Sequence, residues 1–433
     1  MISTYQQGST PTSMVSELLD RIERSTVNAF ITVDPDKALA QAKEMENISP
    51  SSKHPLHGFV VAIKDLIDVR GYPTTMGAQG FEDNIAQKDA LVVSRLREAG
   101  AIFIGKANTH QFAYGPMGDR SAAGPTLNPH NVAHMTGGSS SGSAAAVAAG
   151  LVHGAVGSDT AASVRLPASF CGVVGMKPTM GLLPVDGIFP LSKTLDHPGP
   201  ITATCADNAK MLAVMADCPA DTYSRLIGNP VDKLVVGLPD AFFHTHCSPQ
   251  VHAAMTQAVR LLEASGVKVH FVSIPQIAEI YDAQQCILRA EAYALHAPRL
   301  ASGAPYEDEV RERLLAGQSV TTQAYKQALA FQGSAKSNVD QAFIDVDVIL
   351  APTCGVTAPK LQERETIVNG ETVSTRWLLT RLTAPTNLSG HPSLSVPFGR
   401  DPAGMPIGLQ LIGRYHDEAT LYQLGHFITA FQP

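Results

Sequence analysis

The sequence is short of charge. Asp, Glu, Lys and Arg make up only 16% of its 433 residues, the net charge is −7, and no Lys/Arg block stands out. A broad basic face for nucleic acid or an anionic membrane is therefore not supported, and neither is expected as a partner. Long apolar runs are missing as well. The longest, 144–156, is interrupted by Gly150, His153 and Gly154, too short to span a bilayer. Residues 1–7 show neither the basic nor the apolar region of a secretion signal, so the expected location is the cytoplasm. The six cysteines, Cys171, Cys205, Cys218, Cys247, Cys286 and Cys354, form no CxxC pair and no metal-type cluster with histidine. Free thiols in a reducing compartment are the expectation, with no metal and no cofactor. Cys171 sits among Phe170, Gly172, Val173 and Val174 and reads as packed. No HExxH, Walker A or GxGxxG motif occurs.

What is present is an apolar, alternating chain. Hydrophobic residues reach 44%, enough for a large core. A helix is expected from Thr12 or Ser13, burying Met14, Leu18 and Ile22. Segment 58–65 reads as a buried strand, followed by a helix over 90–99 with Asp89 as cap and Gly100 as stop. Strands are expected at 101–105, 151–156, 234–238, 267–274, 347–352, 393–396 and 407–412. Helices are expected at 141–149, 249–264, 305–316, 322–342 and 417–430. Segment 217–233 reads as a surface connection and 362–375 as a polar loop or excursion. This alternation predicts an α/β/α sandwich around a mixed, largely parallel sheet. With no repeat and no convincing linker, 1–433 reads as one domain.

Two stretches carry chemistry. The first is Gly137-Gly138-Ser139-Ser140-Ser141-Gly142-Ser143. It reads as a linker, an anion-binding helix start, or a catalytic loop in which glycines allow close backbone approach. It runs straight into an Ala-rich helix, which argues against a linker. The second is Asp159-Thr160-Ala161-Ala162-Ser163-Val164-Arg165. Its small residues would let several backbone N–H groups converge, as an oxyanion hole requires; a loop serine bonded to backbone is the competing reading of Ser163. Lys64 ends an apolar strand, so its side chain points either to solvent or into the core. A free lysine has a pKa of about 10.4, leaving on the order of one in a thousand neutral at about pH 7. Burial would bring it to roughly 7–8, where it serves as a base.

These residues, with Ala62-Ile63-Lys64-Asp65, Gly105-Lys106-Ala107-Asn108, Phe170-Cys171-Gly172-Val173-Val174-Gly175-Met176-Lys177-Pro178-Thr179, Leu195-Asp196-His197-Pro198-Gly199-Pro200 and Pro406-Ile407-Gly408-Leu409-Gln410-Leu411-Ile412-Gly413, resemble the amidase signature family. The resemblance covers nearly the whole chain, with its signature core at about 58–200. It implies a Ser-cisSer-Lys triad in which Lys64 is the base, Ser139 the bridging serine after a non-proline cis peptide, and Ser163 the nucleophile. Ser140 is the rival for the bridging place. The backbone N–H groups of Thr160, Ala161, Ala162 and Ser163 would form the oxyanion hole, with Gly137, Gly138, Asp159 and Arg165 as support. Two departures stand out. Ala161 and Ala162 replace glycine usual at one or both positions, and Gln111 stands where many relatives carry glutamate. The implied activity is hydrolysis of a small carboxamide, urea-like or hydrazide-like C–N bond. An inactive binding scaffold and the glutaminase component of a tRNA-dependent amidotransferase, which needs partner subunits, are the alternatives. A homodimer follows by analogy. Specificity would reside near 114–120, 286–315 and 354–385.

Overall fold

The computed structural model describes residues 10–431; the signal-region reading of 1–7 lies outside them. In chain order the strands are β1 (Phe30–Val33), β2 (Val60–Lys64), β3 (Ile102–Ala107), β4 (Leu127–Asn128), β5 (Asn131–Met135), β6 (Gly154–Asp159), β7 (Val174–Lys177) and β8 (His197–Thr202). There follow β9 (Val235–Leu238), β10 (Lys268–Phe271), β11 (Val348–Pro352), β12 (Glu365–Val368), β13 (Glu371–Ser374), β14 (Ser393–Arg400) and β15 (Pro406–Gly413). Eleven of them make one sheet in the order β1-β3-β2-β6-β8-β7-β14-β15-β11-β9-β10. This is the expected sandwich around a mixed sheet. Parallel pairing falls in two blocks, β3-β2-β6 and β11-β9-β10. The run between them, β6-β8-β7-β14-β15-β11, is antiparallel throughout. Only where strand, helix and strand alternate does the chain cross over to pair in parallel.

Alternation along β2 sets up the site. Val61 and Ile63 enter the core that includes Leu96, Met211 and Leu212. Val60 and Ala62 enter the opposite core, against Ala144, Ala145 and Val147 of helix Ser141–Ala148. With a period of two, Lys64 belongs to this second face. That is the face on which the Gly/Ser run enters its helix. Both β2 and β6 end here, at the carboxyl edge of a parallel block, the usual place for a ligand site in such sheets.

Several expected boundaries move. The first helix is Pro11–Arg24, because Thr10 caps it and Pro11 occupies its first turn. Met14 and Leu18 are buried, whereas Ile22 is half-buried. Asp89 does not cap helix Leu91–Glu98, which has no side-chain cap. Its carboxylate instead takes Arg97 at 2.8 Å and the Arg70 backbone N–H at 2.7 Å. Strand β6 extends to Asp159 because Ser158 and Asp159 pair with Pro198 and His197 of β8. Segment 362–375 contains the hairpin β12–β13, turned by Asn369 and Gly370, both at positive φ. Helix Ile277–Ala301 had no counterpart in the sequence reading. Among the described residues, no helix is long and apolar enough to cross a membrane.

Candidate active site

Lys64 is fully buried at the end of β2. Its Nζ donates to Ser139 Oγ at 2.7 Å and to Ser158 Oγ at 2.9 Å. Burial pulls its pKa from 10.5 down to about 7, against the opposing pull of the Asp196 and Asp159 carboxylates. The amine is therefore poised between its two protonation states near neutral pH.

Ser139 follows a cis peptide bond from Gly138. Gly137 has φ +71°, and a Cβ on Gly138 would stand 2.7 Å from the Gly118 backbone nitrogen. Only glycine fits so close an approach. The Ser139 carbonyl accepts from the His110 backbone N–H at 3.1 Å and Thr109 Oγ1 at 3.0 Å. The neighbouring Ser140 turns the other way. Its Oγ donates to the Ser158 carbonyl and accepts from the Ser158 N–H, both at 3.2 Å. Lysine thus meets the first serine of the run, not its rival. The Ser140 N–H donates to the Ser163 carbonyl at 3.2 Å, tying the second serine stretch to the first.

Ser163 lies in the turn between β6 and helix Arg165–Cys171, 8% exposed. The turn is braced by a buried ion pair. Arg165 Nε and Nη2 each reach an oxygen of Asp159 at 2.9 Å. The guanidinium also donates to Thr386 Oγ1, Gln410 Oε1 and Asn387 Oδ1, at 2.7–2.8 Å. Despite burial, the Arg165 charge holds the Asp159 carboxyl well below its usual range. Asp159 Oδ2 accepts the Val164 N–H at 3.1 Å and the Arg165 N–H at 3.4 Å. Among the described residues, the preceding N–H groups of Thr160, Ala161, Ala162 and Ser163 find no protein acceptor.

Thr160 is fixed from two sides. Its Oγ1 donates to Asp196 Oδ1 at 2.5 Å, and its carbonyl accepts from Gln284 Nε2 at 2.8 Å. Burial raises the Asp196 carboxyl to about 6, although hydrogen bonds from Thr160, Leu191 and Ser192 oppose the rise. The two alanines behave differently. Ala161 lines the throat beside Ser163, while Ala162 packs with Met117, Leu166 and Phe170. Cys171 is buried, and burial alone drives its thiol pKa far up, as suits a packed residue. Gln111 acquires a place: its Oε1 accepts the Glu307 N–H at 2.8 Å, joining the 110–120 loop to helix Asp308–Ala316.

A narrow throat of about 40 Å³ leads to Ser163, lined among others by Tyr114, Leu288, Arg313 and Arg376. It shares Gln285, Arg376 and Thr380 with an outer chamber of about 480 Å³. The expected specificity segments thus supply much of the wall. Sequence reasoning missed Ser158 as the second partner of Lys64, and Tyr281, Gln284 and Gln285 on the unexpected helix. That helix was detectable: Ile277, Ile280, Tyr281, Gln284, Ile287 and Leu288 are buried at helical spacing.

The Amidase family model matches residues 13–422. The A subunit of the glutamyl-tRNA(Gln) amidotransferase of Exiguobacterium sibiricum is 37% identical over 95% of this chain and 92% of its own. A crystal structure of an amidase superposes with a TM-score of 0.90 at 32% identity, over 98% of this chain and 96% of the other. The peptide amidase of Stenotrophomonas maltophilia gives 0.81 at 27% identity, over 98% and 94%. The chain belongs to the amidase family, whose membership implies hydrolysis of amide C–N bonds.

Proposed function

We propose that this protein is an amidohydrolase cleaving a small carboxamide, or a urea- or hydrazide-like C–N bond, through an acyl-enzyme on Ser163. The observation that carries the reading is Lys64: sealed from water, brought to about 7, and 2.7 Å from Ser139 Oγ. Neutral Lys64 takes the Ser139 proton as Ser139 takes that of Ser163. The Ser163 oxygen attacks the carbonyl carbon, and the carbonyl π electrons move onto oxygen. The free N–H groups of 160–163 stabilise that oxyanion. On collapse the C–N bond breaks, and the relay returns the proton from Lys64 through Ser139 to the departing nitrogen. Water then adds to the ester by the same route, releasing the acid and restoring Ser163. Ala161 narrows the throat, which favours small substrates.

A second reading, the glutaminase component of a tRNA-dependent amidotransferase, is favoured by the 37% identity to one such relative. It predicts activity that depends on partner subunits, whereas the first predicts activity of the chain alone. An inactive binding scaffold is opposed by the Lys64–Ser139 contact. Covalent labelling by a fluorophosphonate tests the nucleophile. One adduct on Ser163, lost in Ser163→Ala, is expected; labelling that persists in that variant refutes the assignment.

A further inference from the structure

The throat beside Ser163 holds more positive charge than the protein around it neutralises. Arg313 and Arg376 line it, and no carboxylate shares that lining among the described residues. Arg313 belongs to helix Asp308–Ala316, and its side chain is 11% exposed. Its acidic neighbour Glu309, at 3.6 Å, is held more closely by Arg120 at 2.7 Å and Arg364 at 2.6 Å. Asp119 supplies one further carboxylate, 2.9 Å from Arg364. Arg376, half-buried on helix Thr375–Arg381, forms no ion pair among the described residues. Four guanidiniums therefore answer to two carboxylates. Burial and then the Arg376 charge push the Arg313 pKa down to about 10. The outer chamber is lined by one carboxylate, Asp282, and two guanidiniums, Arg289 and Arg376, so positive charge exceeds negative there too.

Arg313 keeps one donor on the Tyr114 carbonyl at 2.8 Å, but Arg376 is a half-buried cation without an ionic partner, which is unfavourable, and an incoming anion relieves it. The guanidinium fork fits a carboxylate through two parallel hydrogen bonds. We propose that the throat is an acyl-side anion subsite, in which Arg376 and Arg313 bind a carboxylate carried by the substrate. The substrate is then the monoamide of a short dicarboxylic acid, not a neutral carboxamide. This rests on Ser163 being the nucleophile, since the acyl part is what stays in the throat once the amine leaves. The throat's small volume restricts the chain between the two carbonyl carbons to a few atoms. An ammonium beside the carboxylate, as in glutamine, would meet the same excess positive charge with no acid in the throat to receive it.

Matched substrates test this: butanamide against succinamate, and pentanamide against glutaramate and L-glutamine. The anionic member of each pair should exceed its neutral partner in kcat/KM by about 30-fold or more, and glutaramate should exceed L-glutamine by about tenfold. Arg376→Gln should cut the anionic-to-neutral ratio by about tenfold or more, with partial recovery in Arg376→Lys. Arg260→Gln, at an exposed position of helix Pro249–Ala264, serves as the control that keeps the parent ratio. Calorimetry on Ser163→Ala protein reads affinity without turnover. Tighter binding of succinamate or glutaramate than of the neutral amides supports the subsite even if no amide is hydrolysed, an outcome that counts against the amidase reading alone. Equal affinity and equal kcat/KM within both pairs, or an anionic preference that survives Arg376→Gln, overturns the proposal.

Discussion

Replacing Lys64 by methionine should separate activity from stability, because the same burial that makes the amine a base also opposes its charged form. The folded-state pKa of about 7 lies below the 10.5 of the exposed side chain. Below about pH 7 the lysine is protonated in both states, and stability bears the full cost of a buried ammonium. Between about 7 and 10.5 the unfolded chain holds a proton that the folded chain lacks, so this group makes stability rise with pH. At about 1.36 kcal/mol per unit, the window corresponds to an effect of about 5 kcal/mol, of which about 2–3 kcal/mol accrues between pH 7 and 9. Lys64→Met removes the titrating group and keeps most of its apolar volume. Urea unfolding of both proteins at pH 7 and 9 gives the difference, and subtracting the variant cancels the titrations of groups that Lys64 does not influence. The parent should gain about 2–3 kcal/mol relative to Lys64→Met over that span, while the variant's turnover falls by about a thousandfold or more. In the parent, kcat/KM should rise with pH through a limb near 7. A stability difference flat with pH, or a limb close to 10, would refute the claim that burial supplies the base.

Two further outcomes follow from the hydrogen-bond geometry. Ser139→Ala should lose about a thousandfold in kcat, whereas Ser140→Ala, which removes only the bridge to the Ser158 backbone, should stay within about tenfold and cost about 1–2 kcal/mol in unfolding; comparable losses of kcat would show that the lysine contact does not identify the relay. Arg165→Met should destabilise the fold by about 3–5 kcal/mol, because it strands Asp159 as an unpaired buried charge. Thermal and urea unfolding read this directly, and a change below about 1 kcal/mol would show that the brace contributes little.

Much of the site was legible because its parts are local. The Gly/Ser run, the small residues before Ser163 and the apolar approach to Lys64 are properties of neighbouring residues. So is the period-two alternation of β2, which assigns Lys64 to one face of the sheet. The Asn369-Gly370 turn and the buried stripe of helix Ile277–Ala301 were equally local, and went unread only because polar residues interrupt the pattern.

What no local pattern contains is distance across the chain. Lys64 and Ser139 are 75 residues apart, and Arg165 and Gln410 are 245 apart. Choosing between Ser139 and Ser140 required the backbone path, which turns one hydroxyl to the amine and the other to β6. The unbalanced arginines of the throat emerged only when helices 308–316 and 375–381 were packed beside the turn at Ser163. Residue type and spacing nominated the groups able to react. Burial settled which carry charge, because solvation and Coulomb energies depend on everything packed around a group, wherever in the chain it comes from.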